Sequence, residues 1–398
     1  MRLSRRRLLA SGAGLPALAS LQPTPPLPTS APRHSSFDPW VEVRVDHLQA
    51  NAAEVARVTG RPILAVIKNN GYGAGVVEAA RALEPIDAVA GFAVVKLHEA
   101  MTLRDAGVRK PILLMGPFDA GDLVDLAARD IAPMVYTPIG ADLDRAAARV
   151  GRPVSIHVCV DTGIGRVGVP YTRAAPLLRD LAARRSVRLE GTMMTFTEDP
   201  AFDREQLARF ERLCRDLEAE GLRLGRRHAA STYALFQHPD AALDMVRPGM
   251  ALYGVYPEPA FRAAGRLTLR PALALRARVV YVKRLAAGES AGYERAYVAP
   301  RDVWVATLPV GHADGVPRAA ARGARVRIGG ALFPIVASLS ASHAIVEIGD
   351  EPRAAIGDVA TLFDWEEGSR PEDVAAACGA SVYDLLMHLN PLLPRRRS

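Results

Sequence analysis

The chain has 398 residues, 49% of them apolar and 23% charged, with a net charge of +7; that is long and apolar enough for two domains with well-buried cores. Beyond the first twenty residues charges interrupt every apolar run well short of membrane thickness, which argues against a membrane-spanning helix or any stable membrane association. The positive balance is almost all arginine, because the only lysines are Lys68, Lys96, Lys110 and Lys283; the arginines are scattered through helical stretches such as Arg179–Arg185 without interleaved aromatics, a solvated surface rather than a nucleic-acid footprint.

Ser4-Arg5-Arg6-Arg7-Leu8-Leu9 opens the chain as a twin-arginine pattern, followed by a short apolar stretch and the small-x-small site Ala17-Leu18-Ala19. Residues 1–19 therefore read as a twin-arginine signal peptide, and the expected location is the periplasm. Residues 20–39 are rich in Pro and Ser and read as an extended linker. Cys159, Cys214 and Cys378 are odd in number and lack motif spacing, so they give neither a disulfide framework nor a metal site.

From residue 40 to residue 270 short apolar runs alternate with helical spacing. Strands are expected at 63–67, 89–95, 112–115, 133–136, 155–160, 189–195, 227–230 and 251–255, with helices such as 48–58, 97–106 and 202–220 between them. Eight such units predict an α/β fold built on a parallel (β/α)8, TIM-like barrel, whose chemistry lies at the C-terminal ends of its strands. The competing open sheet usually carries a Gly-rich dinucleotide turn after its first strand, and none is visible. From 271 to 398 the texture changes to short strands at 274–282, 303–308, 324–328, 334–339 and 344–348, punctuated by Gly, Pro and Asp. This predicts a second, mostly β domain, ending in a helical stretch over 371–389.

The first barrel strand delivers Lys68, followed by Asn69-Asn70-Gly71-Tyr72-Gly73-Ala74-Gly75. Desolvation at a strand end lowers a lysine's pKa and makes it a competent amine for a covalent carbonyl adduct, and the glycines let the backbone pass close to a bulky ligand. Taken alone, Lys68 reads first as an ordinary strand-end lysine capping a loop.

It does not stand alone. Ala65-Val66-Ile67-Lys68-Asn69-Asn70-Gly71-Tyr72-Gly73 resembles the A-V-x-K-A-N-A-Y-G signature of alanine racemases. Further blocks follow in that family's order: Asp161-Thr162-Gly163-Ile164-Gly165-Arg166, His228-Ala229-Ala230-Ser231-Thr232, Val246-Arg247-Pro248-Gly249-Met250-Ala251-Leu252-Tyr253-Gly254, Gly292-Tyr293 with Ala296-Tyr297, and Gly311-His312-Ala313-Asp314-Gly315. The resemblance spans roughly residues 40 to 395 and implies a pyridoxal 5'-phosphate (PLP) enzyme that interconverts L- and D-alanine or a related small amino acid. It implies that Lys68 carries the cofactor and is one of two proton-transfer bases. Tyr293, arriving from the partner subunit of a homodimer, would be the other. Arg247 would face the pyridine nitrogen. Tyr72, Ser231, Thr232, Tyr383 and the backbone of Gly249 and Met250 would hold the phosphate. Arg166, with Ala341 nearby, would meet the substrate.

The departures from the pattern fall on substrate-side and base-tuning groups, while the cofactor groups are kept. Where many members carry a carbamylated lysine that orients the following arginine, this chain has Cys159; Thr195 replaces a histidine; His312 replaces a tyrosine; and Ser340-Ala341-Ser342-His343 stands where the family has C-M-D-Q. Alanine in place of methionine at 341 enlarges the pocket, which admits a broad-specificity periplasmic racemase. A PLP-dependent decarboxylase or lyase of the same architecture, and a PLP-binding protein with weakened catalysis, are the other readings.

Overall fold

The computed structural model describes residues 37–398; the expected signal peptide and all but the last three residues of the linker lie outside them. Seven parallel strands, at Ile63–Val66, Val89–Val94, Ile112–Leu114, Ile131–Val135, Val154–Asp161, Val187–Met193 and Arg226–His228, are neighbours in chain order. Helices cover their outer face, among them Val45–Thr59, Leu97–Asp105 and Pro200–Ala219. The first five strands are rich in Val, Ile, Leu and Ala and almost wholly buried, as parallel strands under helices must be. Val187–Met193 is buried only in its second half and Arg226–His228 only at His228.

The eighth stave differs from the expected one. Residues 251–255 form no strand; Met250–Tyr253 is a 3-10 turn. The wall is closed instead by the preceding stretch. Leu64 N donates to Val246 O (2.9 Å), Val66 N to Pro248 O (2.9 Å), Asp244 N to Arg227 O (3.0 Å) and Arg247 N to Ala230 O (2.7 Å), so residues 244–248 bridge the first and last strands. The run at 251–255 is apolar because it is buried on all sides. Its Leu252 carbonyl is satisfied by the buried Asn51 side chain (3.0 Å), which also holds the Arg270 backbone (2.8 Å), rather than by a neighbouring strand.

The second sheet has nine strands, in the order Tyr281–Leu285, Val303–Leu308, Ala344–Gly349, Ala331–Val336, Arg325–Ile328, Val359–Phe363, Leu273–Arg278, Trp40–Val43 and Arg395–Arg397. Trp40–Val43, read from sequence as the start of the barrel segment, thus pairs antiparallel with Leu273–Arg278 in the other sheet. Both chain ends of the described unit close this sheet. The expected strand at 274–282 is two strands. The expected helical stretch is also two, Pro371–Cys378 and Val382–Met387, broken at Gly379 and restarted by Ser381, whose hydroxyl caps the Asp384 amide. One continuous apolar core runs from the barrel into this sheet. A small separate one (Leu285, Ala291, Ala299, Val303, Val305, Ala337) supports the two-stranded hairpin of Ser290–Ala291 and Tyr297–Val298.

Candidate active site

Lys68 leaves the Ile63–Val66 strand at its C-terminal end, half-buried. Burial, and after it the Arg166 charge, lowers its ammonium below the usual value, with Glu99 pulling the other way. The next residues turn in the left-handed sense: Asn69, Asn70, Gly71 and Tyr72 all have φ between 52° and 59°. Such a run is costly for residues with a Cβ and needs external support. The buried Glu99 carboxylate accepts the Asn70 amide (2.7 Å), and Asn69 Nδ2 donates to Met387 Sδ (3.1 Å) on the Val382–Met387 helix. Gly73, at φ 91°, lies so close to the Leu386 carbonyl that a Cβ there would sit 2.7 Å from it.

This turn drives Tyr72 into the barrel mouth, where its ring lies 4.9 Å from that of Tyr253 and 6.2 Å from that of Tyr383. Burial raises all three phenols, Tyr383 to about 12, so they stay protonated donors. Gly249 passes directly beneath the Tyr72 hydroxyl, and any Cβ there would collide with it. Thr232 Oγ1 accepts the Gly249 and Ala251 amides (3.1 Å each). The Gly249 amide, expected to meet a phosphate directly, is therefore committed to Thr232, with Met250 next in the chain. Ser231 precedes the Thr232–Gln237 helix, and its hydroxyl makes no capping bond. Tyr253 Oη is buried without any hydrogen-bond partner, the kind of orphaned donor that a native structure retains for a ligand or water. Donors and hydroxyls converging at one helix start, opposite a half-buried lysine, fit a phosphate-bearing carbonyl cofactor.

Across the mouth, Arg247 is buried and fully engaged. Nη1 donates to His228 Nδ1 (3.0 Å) and His228 O (2.7 Å), and Nη2 to Met194 O (2.8 Å) and Thr195 Oγ1 (3.4 Å). Desolvation brings its pKa down to about 10, which leaves it charged at neutral pH. His228 Nδ1 must accept, so its Nε2–H donates to His157 Nδ1 (2.9 Å). Burial first, then the Arg247 charge, pushes both imidazoles down, His157 to about 3, and both are neutral. Thr195, in the family's histidine position, thus still touches Arg247. The sequence reading passed over this histidine pair, over Glu99 and over Tyr253. His228 lay inside a quoted block, but nothing in the sequence pairs it with His157, 71 residues away.

The substrate-side residues sit otherwise. Arg166 is exposed, on the loop after Val154–Asp161, within electrostatic reach of Lys68, Arg247 and Cys159. Cys159 is a buried thiol, raised to about 11 by desolvation, and directed at the Val167 carbonyl (3.8 Å). Tyr293 is 72% exposed, on the separate two-stranded hairpin of Ser290–Ala291 and Tyr297–Val298. Ala341 lies in a turn held by Ser340 Oγ, which accepts the His343 amide (2.7 Å), and its own carbonyl accepts Ala313 N (3.0 Å). Among the described residues no hydrogen bond or ion pair joins the Tyr293 or Ala341 side chain to the barrel-mouth cluster of the same chain.

Residues 43–257 match the alanine racemase N-terminal domain family, and residues 272–397 the C-terminal domain family. The chain belongs to the alanine racemase family. It is 34% identical to an alanine racemase of Symbiobacterium thermophilum, over 89% of this chain and 96% of that one. Among solved structures it is similar to alanine racemase from a D-cycloserine-producing Streptomyces lavendulae (TM-score 0.85, 29% identity, 92% of this chain and 98% of that one). It is also similar to alanine racemase of Clostridium difficile 630 (TM-score 0.84, 27% identity, 90% and 95%). The expected family and its two-part fold are thereby established, and the family's cofactor is PLP.

Proposed function

We propose that this chain is an amino-acid racemase acting on alanine or a related small amino acid, with PLP held on Lys68. The observation that carries the reading is a half-buried lysine with a lowered pKa at the C-terminal end of the first barrel strand, in the same barrel as a buried arginine on the closing stretch that is bonded to a neutral histidine. When bound, the cofactor supplies an electron sink that acidifies the α-C–H bond of an attached amino acid. Lys68, relieved of part of its proton affinity by desolvation, takes or returns the α-proton at Nζ on one face. Arg247, which would face the ring nitrogen, keeps its proton and would not hand it over, which disfavours the deeper sink that decarboxylation exploits. Tyr72, Tyr383, Ser231, Thr232 and the Met250 backbone would hold the phosphate, with the Gly249 amide fixed on Thr232 Oγ1. Arg166 meets the substrate carboxylate, and Ala341 leaves room beside it.

Inversion requires a second base on the opposite face, and Tyr293 is assigned that role from the partner subunit of a homodimer. Its 72% exposure supports this, since a phenol held in water by its own chain is free to enter a neighbour's mouth. The twin-arginine pattern supports export to the periplasm; unchanged fractionation of an Arg5→Lys/Arg6→Lys double variant would refute that. The purified enzyme, given L-alanine and then a panel of other L-amino acids, is expected to yield D-isomers. Amine product instead would point to the decarboxylase reading, and no product with PLP bound to weakened catalysis.

A further inference from the structure

Arg166 carries the substrate-facing charge, yet it forms no ion pair within 4 Å among the described residues, and the neighbouring Cys159 is a neutral thiol. A guanidinium on an exposed loop has many rotamers and needs an anion to fix one of them. The loop is nevertheless tied to a second one. Gln206, fully buried on the Pro200–Ala219 helix, donates from Nε2 to Thr162 Oγ1 (3.1 Å) and to Thr195 O (3.2 Å), and accepts the Thr197 amide at Oε1 (2.9 Å). One amide thus stitches the Arg166 loop to the turn at 195–198. Arg209, on the same helix, donates to Thr162 O (2.7 Å).

That turn ends in Glu198, a non-glycine residue at φ 68°. The fully buried Asp203 holds it there, with Oδ1 accepting the Thr197 and Glu198 amides (3.1 Å each) and the Thr197 hydroxyl (2.9 Å). A left-handed glutamate costs energy, and a turn fixed by two buried side chains is built to aim it. We propose that Glu198 is a positioning residue, the anionic partner that orients Arg166 toward the substrate carboxylate. This rests on the reading of Arg166 given above. Electrostatics agree with the placement. The Glu198 carboxyl is raised by desolvation, then by Asp203 and Glu258, and lowered by Arg166. Glu198 in turn raises Tyr383 and Tyr233, and it is the Gln206 bonds to Thr162, Thr195 and Thr197 that bring its turn beside the Arg166 loop.

The test is a cycle of Glu198→Gln, Arg166→Gln and the double variant in the PLP-loaded enzyme. Readouts are kcat/KM against pH and, independently of turnover, the affinity for propionate by calorimetry. Glu198→Gln is expected to lower kcat/KM about tenfold and to weaken propionate severalfold, the scale of a small misplacement of a binding group. It should also remove the fall in kcat/KM that accompanies protonation of Glu198 on the acid side. Glu198→Asp should restore part of the loss. Because Glu198 acts through Arg166, the double variant should be no worse than Arg166→Gln within about twofold. Additive losses, or a Glu198→Gln enzyme with the wild-type pH profile and propionate affinity, overturn the proposal while leaving the role of Arg166 intact. An Arg166→Gln enzyme indistinguishable from wild type overturns both.

Discussion

The barrel mouth and the rim above it are built on opposite principles. Below, Tyr72, Thr232, Arg247 and His228 are buried; Arg247 is bonded to His228 and to backbone carbonyls, and Thr232 Oγ1 accepts the Gly249 and Ala251 amides. Above, Arg166, Tyr293 and Ala341 sit on exposed loops. A cofactor that stays bound through every turnover rewards a rigid, prepaid cradle. A substrate that must enter and leave requires groups that water can reach. Of the departures from the family pattern, His312 and the 340–343 turn lie apart from the buried half, whereas Cys159 is buried and Thr195 touches Arg247. The difference teaches that the buried half is knit together within one chain, whereas Tyr293 stands exposed and without a hydrogen bond to that half among the described residues.

The harshest way to break this contrast is to remove the anchor of the lower half. Lys68→Ala takes away both the covalent attachment and one base. Racemisation should fall by more than about 10⁴-fold, the upper end of what a single acid–base group contributes. Borohydride treatment should fix PLP to a Lys68 peptide in the wild type and to no peptide in the variant. A variant that still yields a PLP-modified peptide at another lysine would move the anchor and undo the assignment. The fold should survive, since Lys68 is only half-buried and makes no structural hydrogen bond of its own.

Tyr293→Phe tests the upper half. One hydroxyl is lost from a residue that is 72% exposed, so stability and PLP content should be unchanged. Racemisation should fall about 10²–10⁴-fold. Lys68 remains, so deuterium should still exchange into the α-position of one enantiomer without inversion. Near wild-type racemisation would remove Tyr293 from the two-base scheme. Loss of exchange in both enantiomers would mean that the two halves are not separable.

How much of this was legible beforehand follows the same division. The β/α alternation and Lys68 were readable because strand periodicity and strand-end position are local properties. The position of the eighth stave was not. Ala251-Leu252-Tyr253 is as apolar as a strand, but Pro248, Gly249 and Gly254 turn it, and Asn51, two hundred residues earlier, supplies the hydrogen bond that a sheet partner would have given. Trp40–Val43 was assigned to the barrel by proximity in the chain, whereas its partners are Leu273–Arg278 and Arg395–Arg397. Glu99 and the His228–His157 pair carry no motif, since their roles arise from contacts between elements distant in sequence.

The smallest effect concerns that histidine pair, which lies beneath Arg247 in the rigid half. Both imidazoles are neutral in the folded protein, with pKa values below the ordinary 6.5, His157 at about 3. In the unfolded chain they protonate near 6.5. The unfolded state therefore binds more protons as pH falls through 6.5. The stability supplied by the neutral pair is complete above that value and is lost below it, down toward the folded pKa. Each histidine contributes a slope of about 1.4 kcal/mol per pH unit once well below 6.5. Ordinary unfolded-state carboxylates titrate below this window, and ion-paired ones such as Asp46 and Asp244 are held lower still, so the buried imidazole pair supplies the larger share of the slope between pH 6.5 and 5. Urea unfolding of the holoenzyme across it should show the decline, and His157→Gln, whose side chain does not titrate, should remove close to half of it. An unchanged slope in His157→Gln would mean that the lower half is not held by neutral imidazoles, and that Arg247 owes its orientation to the Met194 and His228 carbonyls alone.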